Sequence, residues 1–87
     1  MRKLWHETAW KDYLRWMELD KKTIKRINRL IDDIERNGYN GLGKPEPLKD
    51  GLSGYWSVRI DEKNRLLFSI VGSILEILEC RSHYGDK

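Results

Sequence analysis

The sequence predicts an α+β fold in which a hairpin of two helices packs on one face of an antiparallel β-meander. Apolar residues recur at helical spacing up to Asn37 and alternate at strand spacing after Gly54. Residues 38–47 separate the two halves as a loop rich in glycine and proline. Eighty-seven residues are enough for one domain with a modest core, and we expect residues 1–87 to form it.

Two amphipathic helices are predicted in the first half, after a short edge strand over residues 3–5. The first helix covers residues 7–18, and its apolar residues lie on one face: Trp10, Tyr13, Leu14 and Met17. Asp20 is a typical N-cap for the second, whose apolar stripe comprises Ile24, Ile27, Leu30, Ile31 and Ile34. Asn37 and Gly38 end that helix. Trp16 lies off the first stripe and either packs within the chain or belongs to a subunit interface. The interface is slightly favoured.

The second half predicts a hairpin with a defined register. Leu48 is expected to begin a short strand, and the chain turns again over residues 51–54. Two strands follow, over residues 55–61 and 65–71, and matching their apolar faces pairs Trp56 with Ile70, Val58 with Phe68 and Ile60 with Leu66. The three-residue loop between them favours left-handed backbone at Asn64. Gly72 and Ser73 then turn the chain into a last strand, residues 74–84.

The same register places polar side chains together on the face away from the helices: Tyr55, Ser57, Arg59 and Arg65. The two arginines are predicted to lie diagonally on this open surface. Arginines on a sheet face are usually solvated residues that protect an edge. Because these two share a face, an anion-binding site is the alternative. Tyr39 and Tyr55 are candidates for stacking on bases, although packing explains them equally well.

Charge and composition limit the classes of function. The net charge is +3, with ten Lys/Arg against seven Asp/Glu in residues 1–43 and seven of each in residues 44–87. A nucleic-acid site would therefore be a local arrangement of cations and not a basic domain. A single cysteine, Cys80, excludes an intramolecular disulfide and is expected to be a small buried hydrophobe. No metal or other cofactor is expected, because His6 and His83 are far apart and His6 reads as a helix-entry residue. No stretch suits a signal peptide or a membrane span, which favours the cytoplasm.

The strongest candidate for chemistry is Glu46, within residues 44–49 (KPEPLK). Each flanking proline fixes its own φ and disfavours helix in the residue before it, so Glu46 is predicted to lie in extended backbone. Lys44 and Lys49 provide nearby cations for its charged form. Taken alone, Glu46 fits a solvated loop carboxylate better than a general base; with the flanking prolines and nearby lysines the two interpretations fit equally well.

Acid–base catalysis beside an anionic group needs a base, an acid and cations that hold the developing charge. Glu46, the arginines and His83 have the chemistry for these roles, and histidine titrates near working pH. Strand alternation places His83 and Tyr84 on opposite sides of the last strand, so both can serve one site only if the chain bends or bulges there.

Several colinear segments resemble the YoeB family, which comprises ribosome-dependent messenger-RNA endonuclease toxins of the RelE/ParE superfamily encoded with a YefM-type antitoxin. The resemblance runs nearly end to end and includes the pattern of Trp5, Trp10, Tyr13, Leu14 and Trp16. Ser82 stands where the family often has an aromatic residue. The matching segments are residues 44–49 (KPEPLK), 52–57 (LSGYWS), 59–60 (RI), 65–66 (RL) and 80–84 (CRSHY).

The resemblance implies a RelE-like microbial RNase-type fold and a role for each matched residue. Glu46 would be the general base, Arg65 a phosphate stabiliser and His83 the general acid, with Tyr84 completing the catalytic set. Residues implied to bind RNA or phosphate are Lys44, Lys49, Arg59 and Arg81.

The resemblance also implies partners: the ribosome and messenger RNA, a second copy of the chain, and a YefM-type antitoxin covering the surface of Arg59, Arg65 and His83. Operator DNA would be bound only through the antitoxin. The alternative function is a non-enzymatic protein of the same fold, either a gyrase inhibitor or an antitoxin-dependent co-repressor. A pure binder has no need for the acid–base set of Glu46, Arg65 and His83.

Overall fold

Two helices lie against one face of a sheet, and the computed structural model describes residues 1–41 and 43–81 of this arrangement. The elements are β1 (Arg2–Trp5), α1 (Glu7–Leu19), α2 (Lys21–Asn37), β2 (Glu46–Pro47), β3 (Trp56–Arg59), β4 (Arg65–Val71) and β5 (Ile74–Glu79), with single 3₁₀ turns at Gly38–Asn40 and Asp50–Leu52. In that part of the chain the five strands of the sheet lie in the spatial order β1-β5-β4-β3-β2. The predicted α+β fold class is confirmed. No helix within the described ranges has both the length and the apolar character needed to cross a bilayer.

Helix α2 follows its sequence signals closely. The Asp20 carboxylate accepts hydrogen bonds from the backbone N–H groups of Lys22 and Thr23 at 3.1 and 3.2 Å and from the Thr23 hydroxyl at 2.8 Å. The Thr23 bonds hold the pKa of Asp20 below its usual range. Gly38, with φ of 59°, ends the helix, since a left-handed residue suits this position. The predicted stripe is turned inward, with Ile24 half-buried and four residues fully buried: Ile27, Leu30, Ile31 and Ile34.

The face of helix α1 that packs against the core is not the apolar stripe predicted from the sequence. Ala9 and Asp12 are buried, whereas Trp10, Leu14 and Met17 are 44, 43 and 52% exposed. A small residue at Ala9 permits close approach to the sheet, and the Asp12 carboxylate accepts a hydrogen bond from the Cys80 N–H at 3.4 Å. Packing and hydrogen bonding thus override the simple apolar pattern: Tyr13 of the predicted stripe packs partly buried against the core, and its other three residues remain at the surface.

The structure supports the packing interpretation of Trp16 and confirms that Cys80 is buried. The indole Nε1 of Trp16 donates to the Cys80 carbonyl at 2.8 Å, and the ring packs against the core within one chain. Burial raises the pKa of the Cys80 thiol to about 12, with the charges of Asp12 and Glu79 adding to the effect. Cys80 therefore stays a neutral thiol at physiological pH.

The sheet departs from the predicted meander at both ends. β1 is an edge strand as expected, but it runs parallel to β5, so the sheet is mixed. The second strand is Glu46–Pro47 and does not begin at Leu48, which is buried after it. β5 ends at Glu79 instead of continuing through Cys80 and Arg81. A bulge precedes that end, because Phe68 pairs with Ile77 while Leu67 pairs with Glu79.

The predicted register of the β3–β4 hairpin is wrong by two residues. Trp56 pairs with Phe68, Val58 with Leu66 and Arg59 with Arg65. A shift of two preserves which face each side chain occupies, so the predicted faces remain correct. The loop accounts for the difference between the predicted and the observed register. In it, the Asp61 carboxylate accepts hydrogen bonds from the backbone N–H groups of Lys63 and Asn64 at 2.8 and 2.7 Å. Asn64 is not left-handed, because the Asp61 side chain closes the loop instead.

Asp61→Ala should lower the free energy of unfolding by about 1 kcal/mol at pH 7, the usual contribution of a hydrogen-bonded group of this kind. Slight burial alone would raise the pKa of Asp61, but the hydrogen bonds from Asn64 and Lys63 outweigh it, and the pKa lies below its usual range. The stabilisation is therefore present above the unfolded pKa of about 4 and is lost as the pH falls through the lower folded pKa.

Urea unfolding at pH 7 and at pH 3 measures this effect. The difference between the wild type and Asp61→Ala should shrink at the lower pH. Glu62→Ala is the matched control, because it removes an exposed carboxylate from the same loop. Equal losses of stability in the two variants at pH 7 would contradict the role of Asp61.

Candidate active site

Glu46 lies in the two-residue edge strand β2. It pairs with Ser57 of β3, and Pro47 pairs with Trp56. Prolines are tolerated here because an edge strand does not need every N–H group for pairing. The extended backbone predicted for Glu46 is confirmed, and its carboxylate is 68% exposed. A short, rigid edge therefore presents a carboxylate to solvent.

Arg65 connects this carboxylate to the neighbouring strand. From the start of β4 its Nε donates to the Ser57 Oγ at 2.6 Å, and its Nη2 donates to the Glu46 Oε1 at 2.5 Å. Ser57 is only 1% exposed, so its hydroxyl is a fixed acceptor. The cationic partner of Glu46 is thus Arg65 and not a flanking lysine. Strand pairing explains this, because it places Ser57 beside Glu46 and diagonal to Arg65.

Arg59 lies directly opposite Arg65 in the β3–β4 pair. The predicted common face is confirmed, but the two arginines are opposed and not diagonal. Like charges at opposed positions destabilise a sheet. Arg65 is partly neutralised by Glu46, whereas Arg59 is exposed and has no ion pair with any described carboxylate. This repulsion would be relieved by an anion bound between the two side chains.

One open cavity of about 310 Å³ is lined by Glu46, Arg59 and Arg65, together with Arg26, Gly43 and Lys44. Arg26 belongs to α2, and its Nη2 donates to the Arg59 backbone carbonyl at 3.1 Å. It was not among the residues singled out from the sequence. Its helical periodicity marks it only as a solvated position, and nothing local indicates that the end of β3 lies beside it.

The loop that carries Lys44 and Glu46 is fixed against the core at two points. A Cβ added at Gly43 would lie 3.1 Å from a Leu30 methyl carbon and 3.3 Å from one of Val58, so glycine permits this close approach. Tyr39 stacks on Trp56 with ring centroids 4.3 Å apart, and its hydroxyl accepts a hydrogen bond from the Ile70 N–H at 2.8 Å. Of the two interpretations of Tyr39, packing is the one observed.

The remaining predicted residues are not brought to this cavity. Lys49 is exposed after β2 and is not one of the cavity-lining residues. Arg81 lines a separate cavity of about 160 Å³ beside α1, with Asp12, Arg15, Trp16 and Leu19. His83 and Tyr84 lie outside the described residues. The structure therefore brings together Lys44, Glu46, Arg59 and Arg65.

His6 and Tyr55 meet elsewhere on the sheet. His6 is the residue before α1, as predicted, and its Nε2 lies 2.8 Å from the Glu76 Oε2. The Tyr55 hydroxyl donates to the other oxygen of Glu76 at 3.4 Å. Burial raises the pKa of Tyr55, and the Glu76 charge adds to this. The pair links the start of α1 and the turn before β3 to β5, which is a structural role.

The cavity combines a proton acceptor with groups that bind phosphate oxygens. Glu46 supplies the carboxylate, while Arg65 has five N–H donors and uses its Nε and Nη2 on Ser57 and Glu46. Arg26, Lys44 and Arg59 add positive charge around the same space. The described side chains contain no cluster of three histidine, cysteine or carboxylate groups suited to a metal ion. The chemistry that these residues can perform is proton transfer beside a stabilised phosphate.

Comparison with known proteins gives a consistent result. Residues 5–84 match the family model of the YoeB-like toxin of bacterial type II toxin–antitoxin systems. The chain is 50% identical over 84 residues to Toxin YoeB of Escherichia coli K12, covering 97% of this chain and 100% of the relative. A YoeB/ParE toxin structure from Agrobacterium tumefaciens superposes with a TM-score of 0.93 at 42% identity, covering 97 and 100% of the two chains.

Two solved structures from Staphylococcus aureus show assemblies of a similar chain. A YoeB–YefM complex has a TM-score of 0.90 at 38% identity, and a YoeB dimer has a TM-score of 0.89 at 39% identity. Each alignment covers 97% of this chain and 98% of the other.

Proposed function

Because the chain belongs to the YoeB family of type II toxin–antitoxin toxins, we propose that it is an endoribonuclease that cleaves messenger RNA in the ribosomal A site and so inhibits translation. Residues 1–87 would act as one domain. The observation that carries the proposal is the contact of Arg65, held by the buried Ser57 hydroxyl, with Glu46 in a cavity lined by further cations. A carboxylate held beside a guanidinium is what proton abstraction next to a phosphate requires.

In the proposed reaction, Glu46 takes the proton from the ribose 2′-OH, and the 2′-oxygen attacks the adjacent phosphorus. Arg65 and Arg59 hold the charge that develops on the phosphate oxygens. His83 gives a proton to the leaving 5′-oxygen, and Tyr84 completes the catalytic set. The products are a 2′,3′-cyclic phosphate and a 5′-hydroxyl. Lys44, Lys49 and Arg81 bind the RNA strand.

The cations of the site can attract RNA, but an open cavity does not by itself fix the geometry of a flexible strand. The described cavity is open, and its Glu46 carboxylate is largely exposed. The ribosome would supply the missing order by holding the messenger in a geometry that can be cleaved. Orientation of this kind contributes roughly 7–11 kcal/mol to lowering a barrier.

The proposed partners are a YefM-type antitoxin and a second copy of the chain, both acting in the cytoplasm. Support comes from the YoeB–YefM complex and the YoeB dimer of S. aureus. The surface stripe on α1 adds to it, because Trp10, Leu14 and Met17 are apolar and about half exposed. The antitoxin would cover Arg59, Arg65 and His83, and operator DNA would be bound only through the antitoxin.

Primer extension on a defined messenger bound to ribosomes tests the proposal, using the wild type, Glu46→Ala and His83→Ala. We expect a new cut in the A-site codon with the wild type and its loss in both variants. Cleavage that persists in either variant would contradict that residue's role. Folded wild-type protein that makes no cut would overturn the nuclease. Inhibition of DNA supercoiling would then be assayed for the non-enzymatic alternative.

A further inference from the structure

Arg26 reaches the candidate site from the helical layer. It lies on α2, which packs with its buried stripe against the core, yet its guanidinium lies at the end of β3. Its Nη2 donates to the Arg59 carbonyl at 3.1 Å, and its side chain lines the same cavity as Glu46 and Arg65. Arg26 makes none of the described hydrogen bonds within the Glu46–Arg65–Ser57 group, so it lies beside that group and not within it.

The charge of Arg26 is not neutralised in the described part of the chain. On the same helix Arg36 pairs with Asp32 at 3.3 Å, and in the cavity Arg65 pairs with Glu46. Among the described residues, the acceptor of the Arg26 guanidinium is the neutral Arg59 carbonyl. Lys44 and Arg59 likewise have no ion pair with a described carboxylate. The cavity therefore carries more positive charge than one phosphate held at Arg65 would balance.

This inference rests on the proposed function and extends it to the substrate around the cut. We infer that Arg26 binds a phosphate group of the messenger adjacent to the scissile one. Single-stranded RNA offers a row of phosphates, and a protein that binds them draws its cations from several elements along the path. The hydrogen bond to Arg59 orients the guanidinium and leaves its other N–H donors for the ligand. The expected contribution is to binding of the strand and not to the chemical step.

The alternative is that Arg26 only ties α2 to the end of β3. Arg26→Gln and Arg26→Lys together separate the two roles, because both side chains are shorter than arginine and weaken the bond to the Arg59 carbonyl, whereas only glutamine removes the charge. Arg26→Lys keeps the charge and should retain most of the binding, since lysine binds phosphate as a point charge. Arg29→Gln is the matched control, because Arg29 is also exposed on α2 but does not line the cavity. Urea unfolding of all variants measures the structural role.

Binding is measured with messenger that cannot be cut. Ribosomes are programmed with RNA carrying 2′-O-methyl groups in the A-site codon, or with RNA truncated after the P-site codon so that the A site is empty. The affinity difference between the two gives the contribution of the messenger. Because Arg26→Gln loses one phosphate contact, this contribution should fall about five- to tenfold at 0.1 M salt. The slope of log affinity against log salt concentration should fall by about one. Arg29→Gln should match the wild type.

Each other result overturns the inference. An unchanged messenger contribution in Arg26→Gln means that Arg26 does not contact the messenger. Equal losses on both kinds of ribosome assign the contact to ribosomal RNA. If the wild type binds both kinds of ribosome equally well, the messenger contributes nothing to binding and is not the ligand. Lost stability with unchanged affinity leaves only the tie to β3. Because this assay needs no cleavage, failure of the nuclease proposal would appear separately, as a wild type that binds unmodified messenger without cutting it.

Discussion

Arg65→Lys should lower the rate of messenger cleavage by about 10²–10³-fold, the usual cost of losing one donor that stabilises developing charge. The net charge is unchanged, so the expected loss comes from geometry. A guanidinium can donate to the Ser57 hydroxyl and the Glu46 carboxylate together and still offer N–H groups to a phosphate. A lysine ammonium is a single point and cannot span these acceptors. The single-turnover rate on programmed ribosomes measures the effect.

Two further variants make this result specific. Arg29→Lys is the same substitution outside the cavity and should leave the rate unchanged. Ser57→Ala removes one acceptor of Arg65 and should reduce the rate by less than Arg65→Lys does, because the bond to Glu46 remains. A lysine variant as fast as the wild type would mean that charge alone at position 65 is sufficient, and the forked contact would have no catalytic role.

Phe68→Ala should lower the free energy of unfolding by about 3–5 kcal/mol, the usual cost of removing a buried ring. The Phe68 side chain is fully buried at the centre of β4, between β3 and β5. Its ring also stacks against Tyr39 with centroids 5.8 Å apart. The cavity left behind would loosen Tyr39 and with it the loop that leads to Glu46. Urea unfolding measures the loss of stability, and a lower cleavage rate would show that the loop leading to Glu46 has loosened.

Val71→Ala is the control on the same strand. Val71 is 59% exposed, so its truncation should change stability by no more than about 0.5 kcal/mol. A loss in Phe68→Ala below about 1 kcal/mol would contradict the central packing role of the ring. A large loss in Val71→Ala would mean that this end of β4 is covered by something outside the chain.

The sequence predicted those parts of the fold that depend on local patterns. The Asp20 cap, the inward stripe of α2 and the stop at Gly38 follow from residues that are neighbours in the chain. The faces of Ser57, Arg59 and Arg65 follow from alternation. The register does not, because it depends on how Asp61 folds the loop through its own carboxylate. The direction of β1 also lies beyond local patterns, since its partner is the last described strand.

Part of the candidate site could also be predicted from local sequence patterns. The prolines around Glu46 indicate extended backbone, and alternation gives the arginines a common face. The contact between Glu46 and Arg65 needs β2 to pair with β3, and no periodicity predicts pairing of a two-residue strand. The presence of Arg26 at the site depends on how α2 packs over the sheet. Long-range packing decides both, so a single sequence without its fold does not reveal them.

The parallel pairing of β1 with β5 has a consequence for how the protein folds. Arg2 pairs with Ile74, so β1 has no partner strand until β5 is in place. The β3–β4 hairpin has no such delay, because its strands are joined by a short loop. Helix α1 packs against β5 as well and must wait with β1. The hairpin that carries Ser57 and Arg65 can therefore form from local contacts, whereas the fold that holds the site rigid requires the long-range closure of β1 and α1 on β5.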